Sequence, residues 1–141
     1  MKITSRFTLA IHIMLCIASF SDKHKVTSNF IAGSTNANPV IIRRILGQLK
    51  AANLVTIKAG VGGSYIARDL KDINLYDIFI AVEALGDHFF SFHANPDCKC
   101  PVGKNLHTIL DSHLDEIQQA MNTKMKSTNL ASLLEETKEF L

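Results

Sequence analysis

At 141 residues and 47% hydrophobic content, the chain can bury one good core, which predicts one domain with an appendage. No stretch reaches the roughly 20 consecutive apolar residues of a membrane-spanning helix, and no small-residue cleavage site follows the apolar N-terminus, so neither a membrane protein nor a secreted one is expected but a cytoplasmic one. The net charge of +2 is unevenly spread: residues 1–70 hold nine Lys+Arg against Asp22 and Asp69, residues 71–141 six Lys against eleven acids, so a +7 half precedes a −5 half and the basic half is suited to a polyanion.

Phe7, Ala10, Ile11, Met14, Leu15 and Ala18 recur at helical spacing and predict an amphipathic helix from about Ser5 to Phe20. Thr27 or Ser28 can cap a second, short helix carrying Phe30, Ile31 and Ala32, which Gly33-Ser34-Thr35-Asn36 should break. A third helix opens at Asn38-Pro39, a good N-cap followed by the residue favoured at the first helical position. Its buried side is expected from Val40, Ile41, Ile45, Leu46, Leu49 and then Leu54, with Arg43, Arg44, Gln48 and Lys50 outside or at the margins. Two short helices joined by a tight turn follow helix-turn-helix grammar.

Leu54–Lys58 and Ser64–Ala67 are β-prone runs separated by Gly60, Gly62 and Gly63, which supply the positive φ of a hairpin turn; a hairpin placed there is a wing. Asn74 caps a fourth helix through Glu83, with Leu75, Ile78, Phe79 and Val82 facing inward. Residues 86–103 are irregular, with two prolines, two glycines, Cys98, Cys100, His88 and His93. A long helix from about Lys104 to Lys126 carries the apolar stripe Leu106, Ile109, Leu110, Leu114, Ile117, Ala120 and Met121. Thr128 or Asn129 caps a last helix through Leu130, Leu133 and Leu134. The organisation expected is a winged helix-turn-helix over 1–85, an irregular connector over 86–103 and dimerisation helices over 104–141. The fold class is mainly α with one small β-hairpin.

The opening MKITSRFTLAIHIML, the run NPVIIRRILGQLKAANLV, the wing GVGGSY and the following NLYDIFIAVEAL together resemble the Rrf-two-type bacterial transcription regulators, among them IscR, NsrR and CymR. The tail HANPDCKCPVGKNLHTILD is most similar to the YwnA-like branch. The resemblance covers essentially the whole chain and implies a winged-helix homodimer paired through residues 104–126, binding double-stranded operator DNA, most often as a repressor.

On that reading the third helix enters the major groove, which admits an α-helix and displays a distinct pattern for each base pair. Arg43 and Arg44 are the candidates for one base reader and one phosphate clamp. Ser28 and Asn38 can meet phosphates at helix N-termini, where backbone N–H groups also point outward. Val40, Lys50, Lys58 and the glycines Gly60, Gly62 and Gly63 complete the candidate DNA contacts; Lys50 and Arg68 are weaker, with ordinary solvated surface as their alternative. Cluster-binding relatives carry a Glu-Gln pair where this chain has Arg43-Arg44, and a wing arginine where it has Ala59, so their operator does not transfer.

Those relatives also hold an iron–sulfur centre with three cysteines. Aligned on Cys100, the two earlier ligand positions fall on Ala94 and His88 and an accessory histidine falls on Gly103, so the pattern is incomplete and no cofactor is expected. Three readings of the segment remain: a thiol switch at Cys98 and Cys100, whose flanking lysines favour thiolate; an incidental connector; and a divalent metal held by the two cysteines with His88, His93 or His107. Cys16, beside the first helix's stripe, reads as a small buried hydrophobe. No phosphate loop, nucleophile elbow or H-E-x-x-H helix points to an enzyme. A winged-helix regulator that answers to a metal or small ligand, and a winged helix used only for protein assembly, are the remaining alternatives; salt-dependent DNA affinity separates the assembly module from a regulator.

Overall fold

A computed structural model describes residues 4–59, 62–83 and 89–141 of the chain. The order of elements is α1 (Ser5–Phe20), α2 (Ser28–Thr35), α3 (Pro39–Ala51), β1 (Val55–Ile57), β2 (Ser64–Ile66), a 3-10 turn (Leu70–Asp72), α4 (Leu75–Val82), α5 (Pro101–Lys104), α6 (Leu106–Lys126) and α7 (Leu130–Lys138). The fold is thus mostly helical with one two-stranded antiparallel hairpin, in which Val55 pairs with Ile66 and Ile57 with Ser64.

The N-termini of α1, α2, α3, α4 and α7 each follow from a side chain that satisfies an otherwise orphaned N–H, whereas α5 and α6 start without such a cap. Thr4 Oγ1 accepts from Arg6 N, Thr27 Oγ1 from Phe30 N, Asn38 Oδ1 from Val40 N and Asn129 Oδ1 from Ser132 N. Asn74 and Asp77 cap α4 reciprocally, each side chain accepting from the other's backbone N–H. Where the residues 33–36 predicted a break, α2 instead runs through Gly33 and Ser34 to Thr35, and only Asn36, at φ 55°, turns the chain left-handed. Polar residues stay helical there because Thr35 Oγ1 donates to Ile31 O and accepts from Ala37 N, so its hydroxyl serves the helix end rather than competing with it.

The core gathers around α1, whose buried residues are Ala10, Ile13, Met14, Cys16 and Ile17. That face is rotated from the predicted one: Ile11 and Leu15 are only half-buried, because α1 is packed by α2, α3, α4 and α7 from several sides. Val26, Ile31, Ile42, Ile45, Leu46, Leu49, Leu54, Val55, Ile73, Ile78, Val82 and Leu130 complete the cluster. Each such side chain contributes roughly 1.5–3 kcal/mol on burial, offset by the entropy of ordering it.

The second turn of the design is at the chain's end. Leu130 is 1% exposed and its N–H donates to Ile73 O at 2.7 Å, while Leu75 N donates to Thr128 O. The last helix therefore packs back on α1 and on the turn before α4. Between them α6 extends for 21 residues without burying one of them. No helix is long and apolar enough to cross a membrane among the described residues.

Candidate nucleic-acid interface

Helix α3 buries Ile42, Ile45, Leu46 and Leu49 on one side. At about 100° per residue, the side directly opposite carries Val40, Arg44, Gly47 and Ala51. All four are exposed, Val40 at 54%. Val40 and Ile41 were expected in the core and are instead at the surface, Ile41 at 46%, because Ile42 takes the inward place in the first turn. Small residues at 47 and 51 leave Arg44 and Val40 as the only bulk on this ridge.

Arg43 lies on one flank of that ridge. It borders a groove of about 440 Å³ with Lys50, Ser28 at the start of α2, and Ile57 and Gly63 of the hairpin. The structure thus brings four of the sequence-derived candidates, Ser28, Arg43, Lys50 and Gly63, to one place. Arg44 turns to the other flank, a groove of about 380 Å³ shared with Asn38, Ile41 and the first residues of α1. Among the described residues neither arginine forms an ion pair, so both guanidinium groups are available to an outside anion.

Arg6 was not singled out from the sequence. It stands in Arg44's groove and donates from Nη1 to Val82 O at 3.3 Å, while Thr4 Oγ1 donates to Glu83 Oε1 at 3.0 Å. These contacts join the start of α1 to the end of α4. A basic residue in a first helical turn is visible in the sequence, but its approach to α3 is a product of packing.

In the wing, Lys58 lies with Nζ 4.5 Å from the centroid of the Tyr65 ring, a cation–π contact that holds the ammonium on the hairpin. Gly62 and Gly63 have φ of 74° and 92°, values that a side chain would strain. Gly63 is buried against the backbone of Lys25 and Val26, and the adjacent Ser64 N donates to Val26 O at 3.0 Å. That anchors the hairpin to the loop before α2. Gly60 falls outside the described residues. Arg68 pairs with Asp77 at 3.7 Å, in the capping box of α4, which occupies it structurally.

The cysteines divide sharply. Cys16 is 4% exposed, with Sγ 3.4 Å from Ser34 Oγ, as a small core residue should be. Cys98 and Cys100 are exposed and unpaired. The Cys100 thiol is pulled below its ordinary pKa by the backbone N–H groups of Gly103 and Val102 at the start of α5, rather than by the neighbouring lysines. Its loop is tightly built: Asp97 accepts from Lys99 N and Cys100 N, and Gly103 approaches Asp97 O so closely that an added Cβ would stand 2.6 Å away.

His107 Nδ1 lies 3.1 Å from Asp111 Oδ1, and its ring packs 4.1 Å from that of Phe92. His88 is outside the described residues. Among the described residues, no three His, Cys, Asp or Glu side chains come together as metal ligands.

The stripe predicted for pairing is open on α6. Leu106, Leu110, Leu114 and Met121 are half-buried, and Ile109 and Ile117 are each 49% exposed.

Residues 3–136 match the Rrf2 family, described as "Iron-dependent Transcriptional regulator". YwnA of Bacillus subtilis (strain 168), named as an HTH-type transcriptional regulator, is 39% identical over 132 residues, spanning 94% of this chain and 96% of that one. A crystal structure described as that of a DNA-binding protein is 36% identical and superposes with a TM-score of 0.75 over 92% of this chain and 99% of its own. CymR (YrzC), the global cysteine regulator of B. subtilis, shares the fold at 19% identity, with a TM-score of 0.71 over 96% and 97% of the two chains. The family's iron finds no matching cradle in the described donors, since Cys98 and Cys100 stand without a third protein ligand beside them. With the family description spanning nearly the whole chain and the YwnA likeness above a third, this chain belongs to the Rrf2 family of transcriptional regulators, and is not an enzyme.

Proposed function

We propose that the chain is a sequence-specific repressor that binds two-fold-symmetric operator DNA as a homodimer and is released by thiol oxidation. The observation that carries the reading is the outer side of α3, where Arg44, without an ion pair among the described residues, stands beside Val40, Gly47 and Ala51 opposite the helix's buried face. A helix of this kind can sink into the major groove and offer Arg44 to guanine O6 and N7. Arg43 and Lys50, together with the N-terminus of α2 at Ser28, then face backbone phosphates, and Lys58 carries the wing to the adjacent backbone. Asn38 adds the N-terminus of α3.

Dimerisation through α6 is supported by the stripe Leu106, Ile109, Leu110, Leu114, Ile117 and Met121, half-buried or exposed in its own chain, since a 21-residue helix that fully buries none of its residues suits a partner surface. Such a dimer sets two α3 helices at the spacing of successive half-sites. The protein would act on chromosomal DNA in the cytoplasm.

For the switch, the Cys100 thiolate attacks a peroxide: an S–O bond forms, the O–O bond breaks, and the leaving oxygen departs as water after protonation. A second thiol of the dimer then displaces water from the sulfenic sulfur and closes a disulfide, so two thiols and one peroxide give a disulfide and two waters. A cross-link of that kind changes dimer geometry and hence the distance between recognition helices.

The test is fluorescence anisotropy on the gene's own upstream DNA, before and after mild peroxide treatment. Tight binding with a steep negative salt slope is expected, abolished by peroxide and protected by Cys100→Ser. Because the thiol pKa is lowered, thiolate is present at a lower pH than usual, so Cys100 should alkylate faster than Cys98 near neutral pH, with its rate profile levelling off earlier as pH rises. Equal affinity for the upstream and a scrambled duplex would sink the regulator reading; peroxide indifference would remove the switch alone.

A further inference from the structure

The acidic half of the chain contains a cleft that DNA binding does not use. Residues 89–92 lie across α6 and are pinned at two places. Phe89 N donates to Gln118 Oε1 at 3.2 Å, and the Phe92 ring packs on His107 at 4.1 Å. Between these pins is a cleft of about 370 Å³ lined by Phe90, Phe92, Asp111, Leu114, Asp115 and Gln118.

Its lining is chemically one-sided. Two phenyl rings face two carboxylates one helical turn apart, of which Asp111 also meets His107 Nδ1 at 3.1 Å, and no lysine or arginine lines it among the described residues. Aromatic faces and carboxylates together suit a cation that also carries hydrocarbon, since the ring quadrupole and the carboxylate charge both attract it while the rings cover its methylenes. Asp111, Asp115 and Gln118 lie about a third of a turn around α6 from the stripe centred on Leu110 and Ile117, and Leu114 alone belongs to both, so the carboxylates stay accessible when the stripe pairs.

We propose that this cleft is an effector site for an organic ammonium ion, an aliphatic amine or diamine. Its carboxylates hold the ammonium group and Phe90 and Phe92 cover the chain. The cleft is wired to the DNA-binding core: Phe89 contacts Phe79 of α4 at 5.1 Å between ring centroids, Phe79 contacts Phe7 of α1 at 5.3 Å, and α4 packs on α3. An amine that pulls residues 89–92 onto α6 therefore moves the support of the recognition helix. This regulatory half rests on the operator binding proposed above; the binding site does not.

The experiment is calorimetry on the full chain with putrescine as probe, its neutral diol analogue and magnesium chloride as controls, followed by operator anisotropy with and without putrescine at constant ionic strength. Saturable heat is expected for putrescine alone. It should weaken about ten-fold in Asp111→Asn with Asp115→Asn, and measurably in Phe90→Leu, which keeps apolar bulk but loses the ring face. Operator affinity should shift at least about five-fold with putrescine. Absent heat, equal heat from the diol or from magnesium, or unchanged affinity in both variants overturns the site. Saturable heat with unmoved operator affinity overturns the regulatory half alone, and absence of specific DNA binding without putrescine overturns the operator reading instead.

Discussion

Helices α3 and α6 are both amphipathic, yet they spend their apolar faces differently. In α3, Ile42, Ile45, Leu46 and Leu49 are no more than 4% exposed, and its polar and small side is left for an outside partner. In α6 none of 21 residues is buried, and the apolar stripe, half-buried at Leu106, Leu110, Leu114 and Met121, is left open at Ile109 and Ile117. Periodicity alone tells which residues share a face, not who covers that face. A helix whose apolar side is consumed by its own core presents chemistry on its polar side; a helix whose apolar side is left open presents association.

The contrast can be broken where the effect should be largest. Leu49→Ala removes a wholly buried side chain and should cost about 2–5 kcal/mol of stability, whereas Ile117→Ala, half-exposed in the chain, should cost the monomer almost nothing. Chemical denaturation below the dimer dissociation concentration measures both; equal losses would mean α6 is folded into a core after all.

Next in size is the loss of pairing. Leu110→Asp with Leu114→Asp should yield monomers whose operator affinity is about 100-fold weaker or more, because two half-sites are no longer engaged together. Sedimentation velocity showing an intact dimer would end the assignment of α6.

The finest test divides the two arginines. Arg44→Ala should cost about 1–3 kcal/mol and relax discrimination at one base pair of each half-site. Arg43→Ala should weaken all sequences alike and lower the salt slope by about one per protomer. Binding profiles over a randomised operator, taken at two salt concentrations, distinguish them, and the reverse pattern would exchange their roles.

Much of the fold was legible along the chain because its signals are local. The span of α1, the Asn38-Pro39 opening of α3 and the Asn74 cap of α4 depend on caps and spacing within a few residues. Gly62 and Gly63 of the hairpin act through their own φ, and Arg43 and Arg44 were readable as charges on a helix with an apolar counterface. The Gly33–Asn36 stretch misled because glycine, serine and threonine punctuate chains on average, while here Thr35 hydrogen-bonds in helical register.

What the residues alone could not decide was which of several apolar neighbours turns inward and what stands beside what. Ile42 rather than Val40 or Ile41 enters the core because α3 must meet α1 and α4 simultaneously, a condition set by helices distant in sequence. The same packing carries Arg6 to Arg44, seats Gly63 on Val26, returns Leu130 to Ile73 and folds residues 89–92 over α6. Periodicity and capping are properties of a short stretch of backbone, so a linear reading recovers them. Burial is a competition among all faces for one interior, and only the assembled chain resolves it.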